Sequence, residues 1–301
     1  MQPARCDLRE ISYSRLFSLD VARALCGRLT LAIAYMHSQG FAHGDIHLRN
    51  ILLKLPSSFD HLSVEEFYEE YGEPETVEIT EHDGKPLPSN IPTRAVVPIF
   101  LGKYAGDLEL SDAQILLGDF GEAFAPGLRT RLGKDSHTPP AMRPPEARFE
   151  PEKPLSYSAD VWSLAVAIWE ILGMKAIFSM EYVPEDETIS QQIEVLGPMP
   201  KEWFERWEKR AEWFDDEGRP TRRRWVWPPI EQAFEDGIQE ARRELDMGEF
   251  SGEETRAILD LMRRMLTFRP EERPTVEEVL QSEWMVKWVM PDYHRSRQTK
   301  K

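Results

Sequence analysis

The chain has 301 residues, 41% of them hydrophobic and 30% charged, enough apolar material for one large domain carrying sizeable insertions. Its 53 acidic and 37 basic side chains leave a formal charge of −16, which argues against nucleic acid or an anionic membrane as the main partner and suits a basic protein or peptide. Two cysteines, Cys6 and Cys26, make no disulfide framework, the opening MQPARCDLREISYSRLF has no signal-like apolar stretch, and the apolar run Leu164–Leu172 is too short to span a bilayer.

In chain order, Val21, Leu25, Leu29, Ile33 and Met36 recur at helical spacing across 18–40, with Ser18 and Asp20 as candidate caps and Gly40 as a left-handed stop. Phe41–Ala42 and Ile51–Leu53 read as very short strands at either end of the polar loop AHGDIHLRN, Ala42 to Asn50. That loop sets a carboxylate, Asp45, near a carboxamide, Asn50. Phosphoryl transfer asks a protein mainly to position groups and neutralise charge. Asp45 would orient an attacking hydroxyl, and Asn50 would help to hold Mg²⁺.

Residues 56–111 depart from regular pattern. Glu65, Glu66, Glu69, Glu70, Glu73 and Glu75 stand among further acids, no Lys or Arg precedes Lys85, and Pro86, Pro88, Pro92 and Pro98 punctuate the second half. The segment reads as an insertion, helical around Val64–Tyr71 and otherwise looped. Its charge is either a solvated face or a docking surface for basic peptides.

Gln114–Leu117 returns to strand character and leads into Gly118-Asp119-Phe120-Gly121-Glu122, where a carboxylate at a strand end can be aimed at a metal ion with Phe120 packed beneath it. Ala123–Met142 is rich in Gly, Pro and Arg and reads as a mobile lid, closed by Arg143–Ala147. Ala159–Gly173 is apolar on nearly every side and belongs in the middle of a core. Pro184–Pro200 reads as acidic loop and then apolar, Lys201–Phe214 as a tryptophan-bearing helix, and 253–268 and 276–289 as two amphipathic helices around RPEERPT, Arg269–Thr275. Arg219 and Arg222–Arg224 beside Trp225 and Trp227 form a basic, aromatic patch, although the overall charge speaks against a nucleic-acid role.

The order AHGDIHLRN, DFG at Asp119–Gly121, PPE at Pro144–Glu146, SADVWS at Ser158–Ser163 and RPEERP at Arg269–Pro274 resembles the large, C-terminal lobe of eukaryotic protein kinases, whose H-R-D-x-x-x-x-N, D-F-G and A-P-E signatures and late arginine follow one another in the same way. EVLGPMP at Glu194–Pro200 and the arginine of RPPE resemble the CMGC group. HGD, the acidic insertion and ADVWS look most similar to the serine/arginine-protein kinases within it. The resemblance implies a mostly α fold with a few short β-strands and a long insertion after the catalytic loop. Residues 1–17 would be a remnant of the hinge region and 18–294 the lobe, with the insertion at 56–111 and the activation segment at 119–147. A basic tail would occupy 295–301.

The same resemblance implies ATP- and Mg²⁺-dependent transfer to Ser or Thr of basic, Arg/Ser-rich proteins by a monomer of the cytoplasm and/or nucleus, with no direct nucleic-acid or membrane contact. Asp45 would be the catalytic base, and Asn50 and Asp119 the Mg²⁺ and nucleotide ligands. His43 and Phe120 would belong to a hydrophobic stack, Asp160 would hold the catalytic-loop backbone, and Glu146 and Arg273 would form a buried ion pair. Gly44 stands where many kinases carry an arginine that pairs with a phosphorylated activation segment, which points to a constitutive setting. His47 replaces an expected lysine, with Arg49 in reach to compensate.

No G-x-G-x-x-G occurs, and the small lobe that would cover ATP has no counterpart in residues 1–17. Two alternatives therefore accompany the enzyme reading: a pseudokinase acting as a binding module, and a small-molecule phosphotransferase, whose H-G-D-x-H-x-x-N loop HGDIH also resembles.

Overall fold

The computed structural model describes residues 4–13, 16–55, 59, 61–81, 84, 86–99, 101, 103–179, 183–215, 217–221 and 224–298. The chain order is β1 (Ala4–Asp7), α1 (Leu19–Ser38), β2 (Ile51–Lys54), α2 (Val64–Tyr71), β3 (Thr76–Glu78), β4 (Arg94–Val96), β5 (Ile115–Leu117), α3 (Pro145–Phe149), α4 (Tyr157–Gly173), α5 (Glu185–Leu196), α6 (Lys201–Arg206), α7 (Arg210–Trp213), α8 (Ile230–Phe234), α9 (Glu240–Glu244), α10 (Gly252–Met265), α11 (Val276–Leu280) and α12 (Met290–Gln298). The architecture is mostly helical with few short strands, that of a kinase-like C-terminal lobe, as the sequence implies.

The helix α4 is the centre of the core: every residue from Ala159 to Gly173 is buried, and the polar ones among them, Asp160, Ser163 and Glu170, are tied to other segments. Against it packs α1, which buries Val21, Leu25, Leu29 and Ile33, and α12 also packs against α1. The strands form an antiparallel sheet of order β1-β2-β5, with Ile51 opposite Leu117 and Cys6 opposite Leu53. This register places the loop before β2 beside the loop after β5. No helix among the described residues is long and apolar enough to cross a membrane.

Several local expectations change. Phe41–Ala42 is a single backbone pairing, Ala42 with Phe124, and no strand. The Ser18 side chain caps nothing; it donates to Asp20, which also accepts from Val21 N. Gly40 does adopt a left-handed φ of 85° after α1. The insertion holds α2 where expected, closed by a capping box of Ser63 and Glu66, but also the antiparallel pair β3–β4. Within 1–17, β1 is an edge strand of the sheet.

The acidic start of 184–200 is helical. Glu185, Asp186 and Glu187 occupy the first turn of α5, where carboxylates suit the helix dipole. The 201–214 helix is broken into α6 and α7. The 276–289 helix stops at Leu280, and residues 285–289 form a π-turn running on into α12. Between Pro229 and Glu253, where the pattern gave no element, α8, a π-turn over 235–239 and α9 form one helical stretch. Of the basic patch, Arg222 and Arg223 lie outside the described residues. Arg224 turns inward, ion-paired to buried Glu194 and 5.2 Å from the Trp213 ring centre.

Candidate active site

The loop of residues 43–50 is held by Asp160 at the start of α4. Its Oδ2 accepts from the His43 peptide N–H at 2.7 Å and its Oδ1 from that of Gly44 at 2.8 Å, while His37 Nε2 lies 2.9 Å from Oδ2. A buried carboxylate with this many partners keeps its charge satisfied and fixes the backbone ahead of Asp45. The His43 ring has one arrangement of protons that fits its neighbours. Nδ1 accepts from the Asp45 N–H at 3.3 Å, and Nε2–H donates to the Gly118 carbonyl at 3.0 Å. Gly118 N–H in turn donates to the Asn50 carbonyl at 2.9 Å. The loop bearing Asp45 and Asn50 is thereby fastened to the residue just before Asp119.

Asn50, 8% exposed, donates through Nδ2 to the Asp45 carbonyl at 2.9 Å and to Asp45 Oδ2 at 3.1 Å. Both partners only accept, so the amide orientation is settled, and its Oδ1 faces away from them. His47 Nε2 lies 3.3 Å from Asp45 Oδ2 and 3.2 Å from Asn50 Nδ2. Asp45 Oδ1 is buried with no hydrogen-bond partner among the described residues. Arg49 is exposed and bonds to none of them; it lines a cavity of about 180 Å³ with His47, Arg9 and Glu170. Burial pushes the Glu170 carboxyl up, and the Arg9 guanidinium 2.6 Å away partly opposes this.

Asp119 is exposed, in a left-handed conformation with φ of 55°, and its Oδ1 accepts from Gly121 N–H at 3.3 Å. Phe120 does not pack into the core: it is 54% exposed, with its ring centre 5.4 Å from that of His43. Glu146 and Arg273 form a bidentate buried pair at 2.8 and 2.6 Å, and Arg273 also donates to the carbonyls of Thr267, Phe268 and Ser158. Ala123–Met142, expected as a mobile lid, is tied down. Thr138 Oγ1 donates to the Gly44 carbonyl at 2.7 Å, Arg143 Nε to the Thr138 carbonyl at 2.9 Å, and Leu155 N–H to the Arg131 carbonyl at 2.7 Å.

The donor set suits a hard cation that keeps most of its ligands from water and phosphate: the Asn50 amide oxygen, turned away from the bonds that Nδ2 makes, the exposed Asp119 carboxylate, and the buried Asp45 Oδ1, which lacks a partner among the described residues. Among the described residues no cluster of three or more His, Cys, Asp or Glu side chains could hold a metal on its own. Sequence reasoning passed over Thr138, His37, Glu122 and the Arg9–Glu170 pair. Their partners lie as far as 161 residues away, and only their polarity beside apolar runs could have marked them.

A family model described as the protein kinase domain matches residues 108–285, well over half of the chain. The chain belongs to the protein kinase domain family. The matched span carries Asp119, Glu146, Asp160 and Arg273, and it begins after the loop of Asp45 and Asn50. Serine/threonine protein kinases from two strains of Aspergillus fumigatus, CBS 144.89 and ATCC MYA-4609, are each 25% identical to this kinase-family chain over 179 residues, 57% of its length and 40% of theirs. The alignment thus spans about two fifths of the length of these curated relatives.

Proposed function

We propose that this lobe transfers the γ-phosphoryl group of ATP to the hydroxyl of Ser or Thr in a protein, as a kinase of serine/arginine-protein-kinase type. The observation that carries this reading is the pair of bonds from Asn50 Nδ2 to the Asp45 carbonyl and carboxylate, which fixes both groups while leaving Asp45 Oδ1 without a partner. Asp45 accepts or orients the proton of the attacking hydroxyl. Asn50, through its Oδ1, and the carboxylate of Asp119 would hold the divalent ion that accompanies the nucleotide. His47 keeps the Asp45 carboxylate in place, and Arg49, on the wall of the cavity that His47 also lines, would add positive charge for phosphate. Bound Mg²⁺-ATP supplies the phosphoryl group and the charge neutralisation. The substrate is a basic, Arg/Ser-rich protein, drawn by the net charge of −16 and by the run of glutamates from Glu65 to Glu78.

The test is transfer of labelled phosphate to an Arg/Ser-rich peptide at millimolar Mg²⁺-ATP, wild type against Asp45→Asn. The substitution is expected to cost at least about 100-fold in rate with unchanged peptide binding. Undiminished turnover in Asp45→Asn overturns the role given to Asp45. A second reading, a binding module without catalysis, draws on Phe120 and Asp119 being exposed and on Arg49 having no bonded partner among the described residues. It requires that the wild type bind the peptide without transferring phosphate.

A further inference from the structure

Gly44 has a φ of 78°, and a Cβ built on it would stand 2.9 Å from the Glu122 carbonyl oxygen. A side chain there would force the Glu122 backbone to move. The Phe124 ring stands 3.5 Å from the same Cβ position, and Glu122, Arg131 and Thr138 line one small cavity with Gly44. The Glu122 carboxylate, directly after Gly121, is ion-paired to Arg131, and its Oε2 lies 3.0 Å from His137 Nδ1. Arg131 also approaches His137 Nδ1 at 3.4 Å. A protonated Nδ1 donates to Glu122 and a bare one accepts from Arg131, so the cluster keeps a bond in either state of His137. Beside it Thr138, 3% exposed, donates to the Gly44 carbonyl and accepts from Ser136 Oγ at 3.1 Å. The cavity shared by Gly44, Glu122, Arg131, Thr138 and Asp160 is only about 10 Å³, too small for a phosphate group.

We propose that Glu122 is a positioning residue, a built-in anion that gathers Arg131 and His137 and so seats Thr138 on the peptide before Asp45, with no phosphorylation of the segment. The consequence for catalysis rests on the reading of Asp45 given above; the seating itself does not. Glu122 draws the middle of the segment (Arg131) and its later part (His137) to a point one residue past DFG. Thr138, next in the chain after His137, then closes onto Gly44. The backbone exchange between Ala42 and Phe124, at 2.8 and 3.1 Å, anchors the near end of the same segment.

The test is amide hydrogen exchange in the full chain for wild type, Glu122→Gln, Glu122→Ala, Arg131→Ala and the double Ala variant, with and without phosphatase. The bonded amides of Gly133, Lys134, Asp135 and Ser136 are the reporters and α4 the internal reference. Each single Ala variant is expected to exchange about fivefold faster at the reporters, with α4 unchanged and Glu122→Gln intermediate. The double variant should be no faster than the singles, because both remove one interaction. Phosphatase should change nothing. Wild-type rates in Glu122→Ala, additive effects in the double variant, or loosening of the wild type by phosphatase would overturn the proposal. Where transfer is measurable, Glu122→Ala lowers kcat more than it raises KM. An inactive wild type would count against Asp45 as a base, and exchange would still decide the place of Glu122.

Discussion

Asp160 meets two peptide N–H groups and one imidazole with a single carboxylate that is 1% exposed. Asp160→Ala would leave the N–H of His43 unpaired in the interior and that of Gly44 partly so. We expect a loss of about 2–4 kcal/mol in urea unfolding, together with faster exchange of the His43 and Gly44 amides. The Glu146–Arg273 pair is enclosed as well, with side chains 7% and 0% exposed. Deleting one partner strands a buried charge: Arg273→Ala is expected to cost roughly 3–5 kcal/mol, whereas Met at both positions should recover most of it. Much at this scale was legible. Asp45 and Asn50 lie on one short loop, and Asp160 stands out as the charge opening an apolar helix. Thr138 was not legible, because its hydroxyl closes on a carbonyl 94 residues away and nothing in its neighbourhood marks it. Phe120 meets the His43 ring as the stack requires, but it misled as a core residue, because an aromatic residue in a strand-end motif reads as buried and here it is 54% exposed.

Among the elements, α1 follows from its helical spacing and α4 from a run that is apolar on nearly every side, and α2 stands where the insertion reads as helical; each carries its signal on its own residues. The stretch α8–α9 was missed because Arg242 occupies a core-facing position after Ile230, Phe234 and Ile238. That guanidinium is fully buried on the carbonyls of Leu172 and Phe17, a tertiary solution that hydrophobic spacing does not reveal. The pair β3–β4 was hidden by strands of three residues, none of them buried. The start of α5 offers a test in pH. Burial alone would push the Asp186 carboxyl up, but the Trp207 N–H at 2.7 Å and the Lys209 ammonium at 3.0 Å outweigh it and hold the group below its ordinary value. An acid depressed in the folded state stabilises the fold above its unfolded pKa and loses that contribution as pH falls through the folded one. The Tm gap between wild type and Asp186→Asn should therefore be present at neutral pH and close below about pH 4. A gap that stays constant down to pH 3 would mean that ionisation of Asp186 contributes nothing.

On the scale of the molecule, the lobe puts two loops distant in sequence against each other through β2 and β5, and their meeting point is the Asn50–Gly118 backbone bond. The fold class was legible because five short motifs in a fixed order constrain a topology more tightly than any one of them. The seating of the activation segment was not, since it depends on contacts among Glu122, Arg131, His137 and Gly44 that only the folded chain brings together. The central claim is that Asn50 and Asp119, joined at that point beside Asp45, hold one divalent ion in the presence of nucleotide. The most direct measurement is an electron paramagnetic resonance titration of Mn²⁺, as a stand-in for Mg²⁺, with ATP and the full chain. The account predicts a protein-bound Mn²⁺-nucleotide signal whose affinity falls at least about tenfold in Asn50→Ala and likewise in Asp119→Ala, with Tm little changed in Asp119→Ala. Equal Mn²⁺ affinity in wild type and both variants would contradict it.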